Sequence, residues 1–173
     1  MKRNDSHGQV LQYACRLLSY RGRSEKELSK RLRTKGFDED AIDKVISDLR
    51  SNGYLDDRKL ASSLRRYAEE SKYLSLLGTK RLLRERGIPA AVIDEALTGF
   101  DEPETAKRLV ERKLRRMKKG DQKNRQIFLG EGADDNTSKR RLEGMLLRRG
   151  FSRDIIQEVI KSFRREGEGD ENC

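Results

Sequence analysis

The sequence contains very few of the residues on which most enzyme and metal sites depend. Among its 173 residues there are one histidine (His7), two cysteines (Cys15 and Cys173) and no tryptophan. A single histidine excludes multi-histidine metal sites and almost all histidine acid–base chemistry. Two cysteines at opposite ends of the chain provide no disulfide framework, which is typical of a cytoplasmic protein with reduced thiols. We therefore expect no catalytic residues, no metal and no cofactor.

Long apolar segments are also missing. No uninterrupted apolar run approaches the ~20 residues that cross a bilayer. The polar residues 1–9 lack the apolar centre of a secretory signal, so we expect no membrane partner. Apolar residues make up 34% of the chain and charged residues 40%, a composition that favours several shallow cores over one deep core. Forty basic and thirty acidic side chains give a net charge of +10, which attracts polyanions.

Proline is scarce, with two in the chain, and long stretches of apolar residues with a 3.6-residue period predict helices. The first helix is predicted over 9–20. Ser24 and Glu27 have the spacing of a capping box at the start of a second helix, and Asp38 is a good N-cap for a third. Three short helices joined by glycine-containing links make one small bundle.

The end of the second helix recurs twice more along the chain. An apolar residue directly follows Gly36, Gly87 and Gly150, and a leucine precedes each glycine by four positions. Further apolar residues follow each glycine by six, ten and thirteen positions. These offsets are those of a helix, a left-handed glycine C-cap and a second helix with one buried face. The sequence therefore predicts an all-α protein of three tandem three-helix repeats.

The repeat boundaries follow from this register. We predict repeat 1 at 9–54, repeat 2 at 55–100, repeat 3 at 101–164 with a loop insertion at about 120–136, and a disordered acidic tail at 165–173. The first helices of repeats 2 and 3 are predicted over 57–72 and 103–119. One repeat has little apolar surface with which to be stable alone, so we expect the repeats to pack into an elongated, curved array.

A nine-residue motif stands at the junction of the first two repeats. It reads Gly53-Tyr54-Leu55-Asp56-Asp57-Arg58-Lys59-Leu60-Ala61. This motif resembles the signature at the end of the first repeat in RecX family proteins. The Arg-Gly-Ile and Arg-Gly-Phe turns of repeats 2 and 3 also lie where that family has Lys/Arg-Gly-apolar turns. The resemblance runs from about residue 10 to residue 163.

The resemblance implies a regulator without enzymatic activity. RecX proteins bind in the helical groove of the RecA filament on single-stranded DNA, limit filament growth or stability, and inhibit strand exchange and ATP hydrolysis. The implied partners are a RecA-type recombinase filament and single-stranded DNA, contacted directly or through the filament. We expect the chain to act as a monomer in the cytoplasm.

Basic residues are concentrated on the first helix of repeat 3 and on the middle helices of repeats 2 and 3. We predict that the filament or its DNA is contacted by Lys80, Arg81, Arg84, Lys107, Arg108, Arg112, Arg115, Arg116, Lys119, Lys139, Arg140 and Arg141. On the first helix of repeat 3 the spacing places Arg108, Arg112 and Arg115 on one face and the stem of Lys113 on the apolar side. A solvated helix face, and helix-dipole stabilisation of cations near a C-terminus, are the alternatives.

Several other interpretations stay open. The chain can also be a direct, sequence-independent DNA-binding protein built from helix-turn-helix-like units, which the net charge equally favours. Tyr67 and Tyr73 flank basic residues and can stack on bases or pack in a core. Tyr54 and Leu55 are predicted to pack between repeats 1 and 2. The acidic runs 38–40 and 56–57 are interpreted as helix caps, which leaves a metal-dependent nuclease without a ligand set.

Overall fold

The computed structural model describes residues 7–116 and 135–169, with side chains described at 7–116 and 140–163. Every regular element in this part of the chain is helical. The α-helices are α1 (His7–Tyr20), α2 (Glu25–Lys35), α3 (Glu39–Ser51), α4 (Asp57–Tyr67), α5 (Leu76–Glu85), α6 (Ala90–Ala96), α7 (Glu102–Arg116), α8 (Asp135–Leu147) and α9 (Arg153–Gly169). They form three successive sets of three, which confirms the predicted all-α repeat architecture.

The three repeat glycines end the middle helices α2, α5 and α8 as predicted. Gly36, Gly87 and Gly150 have φ values of 92°, 78° and 88°, in the left-handed region that glycine enters without a side-chain penalty. At each turn the amide after the glycine donates back to the carbonyl five residues earlier, joining Phe37 to Leu32, Ile88 to Leu83 and Phe151 to Leu146. This is the backbone pattern of a Schellman C-cap.

Packing divides the described residues into two compact units. Unit 1 contains the residues up to Arg66 together with Lys80–Thr98, and unit 2 contains Tyr67–Thr79 together with the residues from Gly99 onward. The core of unit 1 is built on repeat 1 and consists of Val10, Ala14, Leu28, Leu32, Ile42, Val45, Ile46, Leu49 and Leu55. The core of unit 2 is built on repeat 3 and consists of Ala106, Leu109, Val110, Leu114, Leu142, Leu146, Phe151, Ile156, Val159 and Ile160.

In unit 1, groups from repeat 2 close the N-terminus of α2. Ser24 Oγ accepts the Glu27 N–H at 3.0 Å, and its hydroxyl donates to the Arg86 carbonyl at 2.7 Å. Asp57 Oδ1 accepts the Glu25 N–H at 3.1 Å. The predicted capping box is only half formed, because the Glu27 carboxylate pairs with arginines instead of the Ser24 backbone.

Unit 2 repeats this arrangement at the N-terminus of α5. Ser75 Oγ accepts the Gly78 N–H at 3.0 Å, and the Ser75 N–H donates to the Arg149 carbonyl at 3.1 Å. Glu102, the first residue of α7, accepts the Leu76 N–H. In both units, therefore, a middle helix begins against the Arg-Gly turn of the following repeat and against the acidic first residue of that repeat's first helix. These contacts satisfy amides that a helix start leaves unpaired.

The nine-residue motif forms the turn between α3 and α4 and the first five residues of α4. Gly53 has a φ of 74°, and the Tyr54 and Leu55 amides both donate to the Leu49 carbonyl. Leu55 is buried in the unit 1 core, whereas Tyr54 is 73% exposed. The predicted packing of Tyr54 between repeats is therefore wrong, because neighbouring side chains leave this tight turn in different directions. Asp56 caps α4 by accepting the Lys59 N–H at 3.0 Å.

Two predicted segments lie at or beyond the limits of the described residues. The insertion at about 120–136 falls almost entirely on residues 117–134, which lie outside the described residues. Helix α9 continues to Gly169, whereas the sequence suggested a disordered tail from 165. Arg165, Glu166 and Glu168 favour helix, and no proline stops its continuation. Residues 170–173 lie outside the described part.

Candidate functional site

Helix α7 carries the densest predicted basic face. Its other face is buried in the unit 2 core through Leu109, Val110 and Leu114. Arg108 pairs with Glu104 at 2.9 Å and Arg115 pairs with Glu111 at 3.1 Å, all exposed. Exposed pairs at i,i+4 spacing contribute only about 0.3–0.5 kcal/mol each. These arginines are therefore held loosely and can exchange their carboxylate partners for a polyanion.

Arg112 lies apart from these two arginines and contacts a distorted helix end. After α4 the chain continues as a π-helical turn, Ala68–Lys72, and ends at Tyr73 with a φ of 52°. The Arg112 guanidinium lies 5.2 Å from the centre of the Tyr73 ring and donates to the Ser71 carbonyl at 3.4 Å. π-Helical turns and non-glycine residues in the left-handed region both occur often at functional sites.

A cavity of about 290 Å³ opens beside this turn in unit 2. Five cations from three elements line it, and we call them the basic pocket: Lys72, Arg112, Lys113, Arg116 and Arg149. The sequence predicted Arg112 and Arg116 as contact residues but missed the other three. Lys113, assigned to the apolar side of α7, is exposed. No local pattern connects Lys72, on the π-helical turn, to Arg149, in the turn after α8, so only tertiary structure brings them together.

The predicted contact residues of repeat 2 belong to unit 1. Lys80 pairs with Asp94 at 2.8 Å, and this hydrogen bond and charge hold the pKa of Asp94 below its usual value. Arg81 pairs with Glu85 at 2.8 Å. Arg84 lines an open groove of about 1110 Å³ that contains both basic and acidic side chains. The mixed charge makes this groove a weaker polyanion site than the basic pocket.

The remaining predicted contact residues lie in repeat 3. Arg140 and Arg141 on α8 are exposed, and Lys107 on α7 is half-buried. Lys119 and the side chain of Lys139 lie outside the described residues. In unit 2 the structure therefore separates the described members of the predicted set into the basic pocket, the outer arginines of α7, the half-buried Lys107 and the exposed middle of α8.

Three carboxylates at the repeat junctions have shifted pKa values. Burial raises the pKa of Asp57, with the nearby Glu25 and Asp56 charges adding to the rise and the hydrogen bond from the Glu25 N–H opposing it. Burial likewise raises the pKa of Glu102 against the hydrogen bond from Leu76. Burial also acts upward on Glu27, but the hydrogen bond from Arg21 and the charges of the surrounding arginines outweigh it and lower the pKa. These shifts reflect capping and ion pairing at helix starts.

Within the described residues, no group of three or more histidine, cysteine, aspartate or glutamate side chains is placed to hold a metal ion. The acidic residue Asp38 caps α3, accepting the Asp40 N–H at 3.2 Å. Over the same part of the chain, no helix combines the length and apolar character needed to cross a membrane.

The fold and this surface define a class: a small helical-repeat protein with clustered cations. Family models described as the first and third three-helix domains of RecX match residues 11–49 and 129–160. The chain is 32% identical over 152 residues to the regulatory protein RecX of Chlorobaculum tepidum, covering 88% of this chain and 86% of that protein. It therefore belongs to the RecX family.

Other similarities agree with this assignment. The regulatory protein RecX of Mycobacterium sp. (strain JLS) is 35% identical over 155 residues, which cover 86% of this chain and 78% of that protein. The crystal structure of RecX from Lactobacillus salivarius superposes with a TM-score of 0.71 at 23% identity, covering 92% of this chain and 97% of that one. The structural similarity supports the three-helix repeat fold.

Proposed function

We propose that this chain is a non-enzymatic regulator that binds RecA-type recombinase filaments on single-stranded DNA. In this proposal it acts as a cytoplasmic monomer and inhibits or modulates filament growth, ATP hydrolysis and strand exchange. The observation that carries the proposal is family membership across nearly the whole chain, since the aligned relatives bear the name regulatory protein RecX. The motif at Gly53–Ala61 adds a second, local resemblance to the same family.

Surface charge supports the choice of partner. A filament on single-stranded DNA combines protein surface with a row of phosphates, and a chain of net charge +10 is attracted to such a polyanion. The predicted contact residues Arg108 and Arg115 are exposed on the outer face of α7. Their ion pairs are of the weak, exposed kind that a stronger anionic partner replaces readily.

The proposal is tested by measuring ATP hydrolysis by the cognate recombinase on single-stranded DNA while this chain is titrated in. Parallel series use pre-formed filaments and filaments still growing. Inhibition at far less than one molecule per recombinase protomer is the expected result. A difference between the two orders of addition distinguishes capping of filament ends from binding along the groove.

The same titration tests the alternative of a direct DNA-binding protein. If hydrolysis is unchanged while the chain alone binds single-stranded or duplex DNA in the same buffer, regulation of the filament is refuted and direct DNA binding replaces it. Sedimentation at the assay concentration checks the proposed monomer.

A further inference from the structure

The basic pocket of unit 2 brings positive charges together without the carboxylates that accompany many cations elsewhere in the chain. Around Glu27 three arginines share one carboxylate, and on α7 the outer arginines each have a glutamate. Within the described residues, by contrast, Lys72, Arg112, Lys113, Arg116 and Arg149 form no ion pair with a carboxylate. Five converging cations repel one another, and an anion placed among them removes that repulsion.

Two of the five cations are fixed in place before any ligand arrives. Arg112 donates to the Ser71 carbonyl, and Arg149 donates to the Lys72 carbonyl, at the end of the π-helical turn. Stacking of Arg112 on Tyr73 orients its guanidinium further. A guanidinium has five N–H donors, so each arginine keeps donors beyond its bond to a carbonyl. Side chains that are already ordered lose less entropy when a ligand binds.

Lys72 Nζ lies 5.5 Å from the centre of the Tyr67 ring, whereas Lys113 and Arg116 contribute charge that no described contact uses structurally. Lys113 and Arg116 are exposed, one turn apart on α7, and line the same cavity. The cavity, about 290 Å³, is at the lower end of the ~300–1,000 Å³ range of small-molecule pockets. Arginine forks with lysine point charges are the combination that proteins use for phosphate oxygens.

We propose that the basic pocket binds a phosphate group of single-stranded nucleic acid. The inference rests on the proposed function and deepens it, because it assigns one part of unit 2 to DNA phosphate. Free polyphosphates such as pyrophosphate carry the same kind of phosphate group, and the experiment distinguishes binding of nucleic acid from binding of free polyphosphate. A carboxylate surface of a protein partner is a different class of ligand and would overturn the proposal.

The test measures binding of a fluorescein-labelled oligothymidylate to the full chain at a series of salt concentrations. The pocket variant carries Lys113→Gln and Arg116→Gln. The control carries Arg153→Gln and Lys161→Gln, which remove one arginine and one lysine from exposed positions of α9 outside the pocket. Circular dichroism and the thermal midpoint establish that each variant is folded.

Log affinity falls as log salt rises, and in the pocket variant the magnitude of this slope is expected to be smaller by about 1. This corresponds to affinity about tenfold lower at 0.1 M salt. The control variant is expected to stay within about twofold of the unmodified chain. Equal losses in the two variants would mean that only net charge matters, and no loss in the pocket variant would remove the phosphate site. Either result overturns the proposal.

Three further probes identify the ligand. An oligothymidylate with neutral methylphosphonate linkages is expected to bind weakly, and tight binding of it would overturn the assignment to phosphate. Pyrophosphate is added as a competitor of the labelled strand. If it displaces the strand only from chains with an intact pocket, the result supports phosphate binding and shows that the pocket also accepts free polyphosphate. A decaglutamate peptide that binds as tightly, with the same loss in the pocket variant, would replace phosphate by a carboxylate partner.

Recombinase ATP hydrolysis, measured with the same preparations, separates the two proposals. Pocket-dependent binding of the oligothymidylate without inhibition by the unmodified chain refutes the regulatory function and leaves the phosphate pocket standing. Inhibition by the unmodified chain together with unchanged strand binding in the pocket variant refutes the pocket and leaves the regulatory function standing.

Discussion

At the scale of single residues, the repeat glycines differ in what surrounds them although their sequence context is the same. Gly36 and Gly87 both have positive φ, but a Cβ on Gly36 would meet nothing within 4 Å, whereas a Cβ on Gly87 would lie 2.7 Å from Ser24 Oγ. Gly150 has the same close approach to Ser75 Oγ, again at 2.7 Å. The second and third glycines thus serve a helix end and a repeat junction at once.

Alanine substitution separates these two requirements. Gly36→Ala is expected to cost about 1–2 kcal/mol of unfolding free energy, the cost of a left-handed alanine. Gly87→Ala is expected to cost more, because its methyl group also displaces the Ser24 hydroxyl from the junction. Urea unfolding followed by circular dichroism measures both. If the two variants lose the same unfolding free energy, the contact between Gly87 and Ser24 accommodates a methyl group without destabilising the fold.

Glu27 also takes part in the junction between repeats 1 and 2, where it pairs with Arg86 of repeat 2. Its carboxylate accepts a hydrogen bond from Arg21 at 3.0 Å and lies 3.4 Å from Arg86 Nε. Because the folded protein lowers the pKa of Glu27 from its ordinary value of 4.5, the ionised form stabilises the fold. That contribution is complete above pH 4.5 and is lost as the pH falls through the lowered pKa.

Glu27→Gln is expected to destabilise the chain by about 1–2 kcal/mol at pH 7, since three arginines lose one shared anion. The difference between variant and unmodified chain should narrow below pH 4.5. Glu85→Gln is the control, since its carboxylate is exposed and its one ion pair within the described part of the chain is with Arg81, so its effect should stay within about 0.5 kcal/mol. Denaturant unfolding between pH 3 and pH 7 measures both, and a gap independent of pH would contradict the assigned ion pairing.

At the scale of helices, α7 presents its cations in two ways. Arg108 and Arg115 form pairs on its outer face, while Arg112, Lys113 and Arg116 line the basic pocket. Reversing the outer pair by Arg108→Glu and Arg115→Glu leaves the buried side of the helix unchanged. The reversal sets like charges at i,i+4 spacing, which costs only a few tenths of a kcal/mol per pair.

This double reversal is therefore expected to keep the helix content and to abolish inhibition of recombinase ATP hydrolysis. The matched control is Arg153→Glu with Lys161→Glu, which changes the net charge equally on another helix and should retain inhibition. Titration of each folded variant into the hydrolysis assay gives the comparison. Full inhibition by the α7 variant would show that the contact surface lies elsewhere.

Helix ends and buried stripes were predictable from the sequence because they depend on neighbours within one or two turns. The positions of Leu32, Leu83 and Leu146 before their glycines are an example, and all three are fully buried. Asp57 shows where this reasoning stops. The sequence suggested that Asp57 caps α4, the helix that it begins. Its carboxylate instead accepts the Glu25 N–H at the start of α2, 32 residues away in the sequence. The basic pocket was missed for the same reason, since its members meet only through tertiary packing.

At the scale of the whole molecule, the apolar residues form a separate core in each unit. Leu32 in unit 1 and Leu146 in unit 2 occupy the same position of their repeats, and both are completely buried. Leucine-to-alanine substitution at such sites costs about 2–5 kcal/mol, depending on how far the cavity collapses. Because each leucine belongs to a different cluster, the destabilisation is expected to be confined to the unit that contains the substituted leucine.

Hydrogen exchange of the native chain tests this division. Leu146→Ala is expected to reduce amide protection in α7 and α9 while leaving α1 and α3 close to the unmodified chain, and Leu32→Ala is expected to give the reverse. Local opening with a free energy below that of global unfolding is the physical basis for such regional loss. The two variants serve as controls for each other, since both remove the same atoms from the same repeat position. Equal loss of protection throughout both units would instead mean that the chain unfolds as one cooperative body, and the separation of the two cores would then have no energetic counterpart.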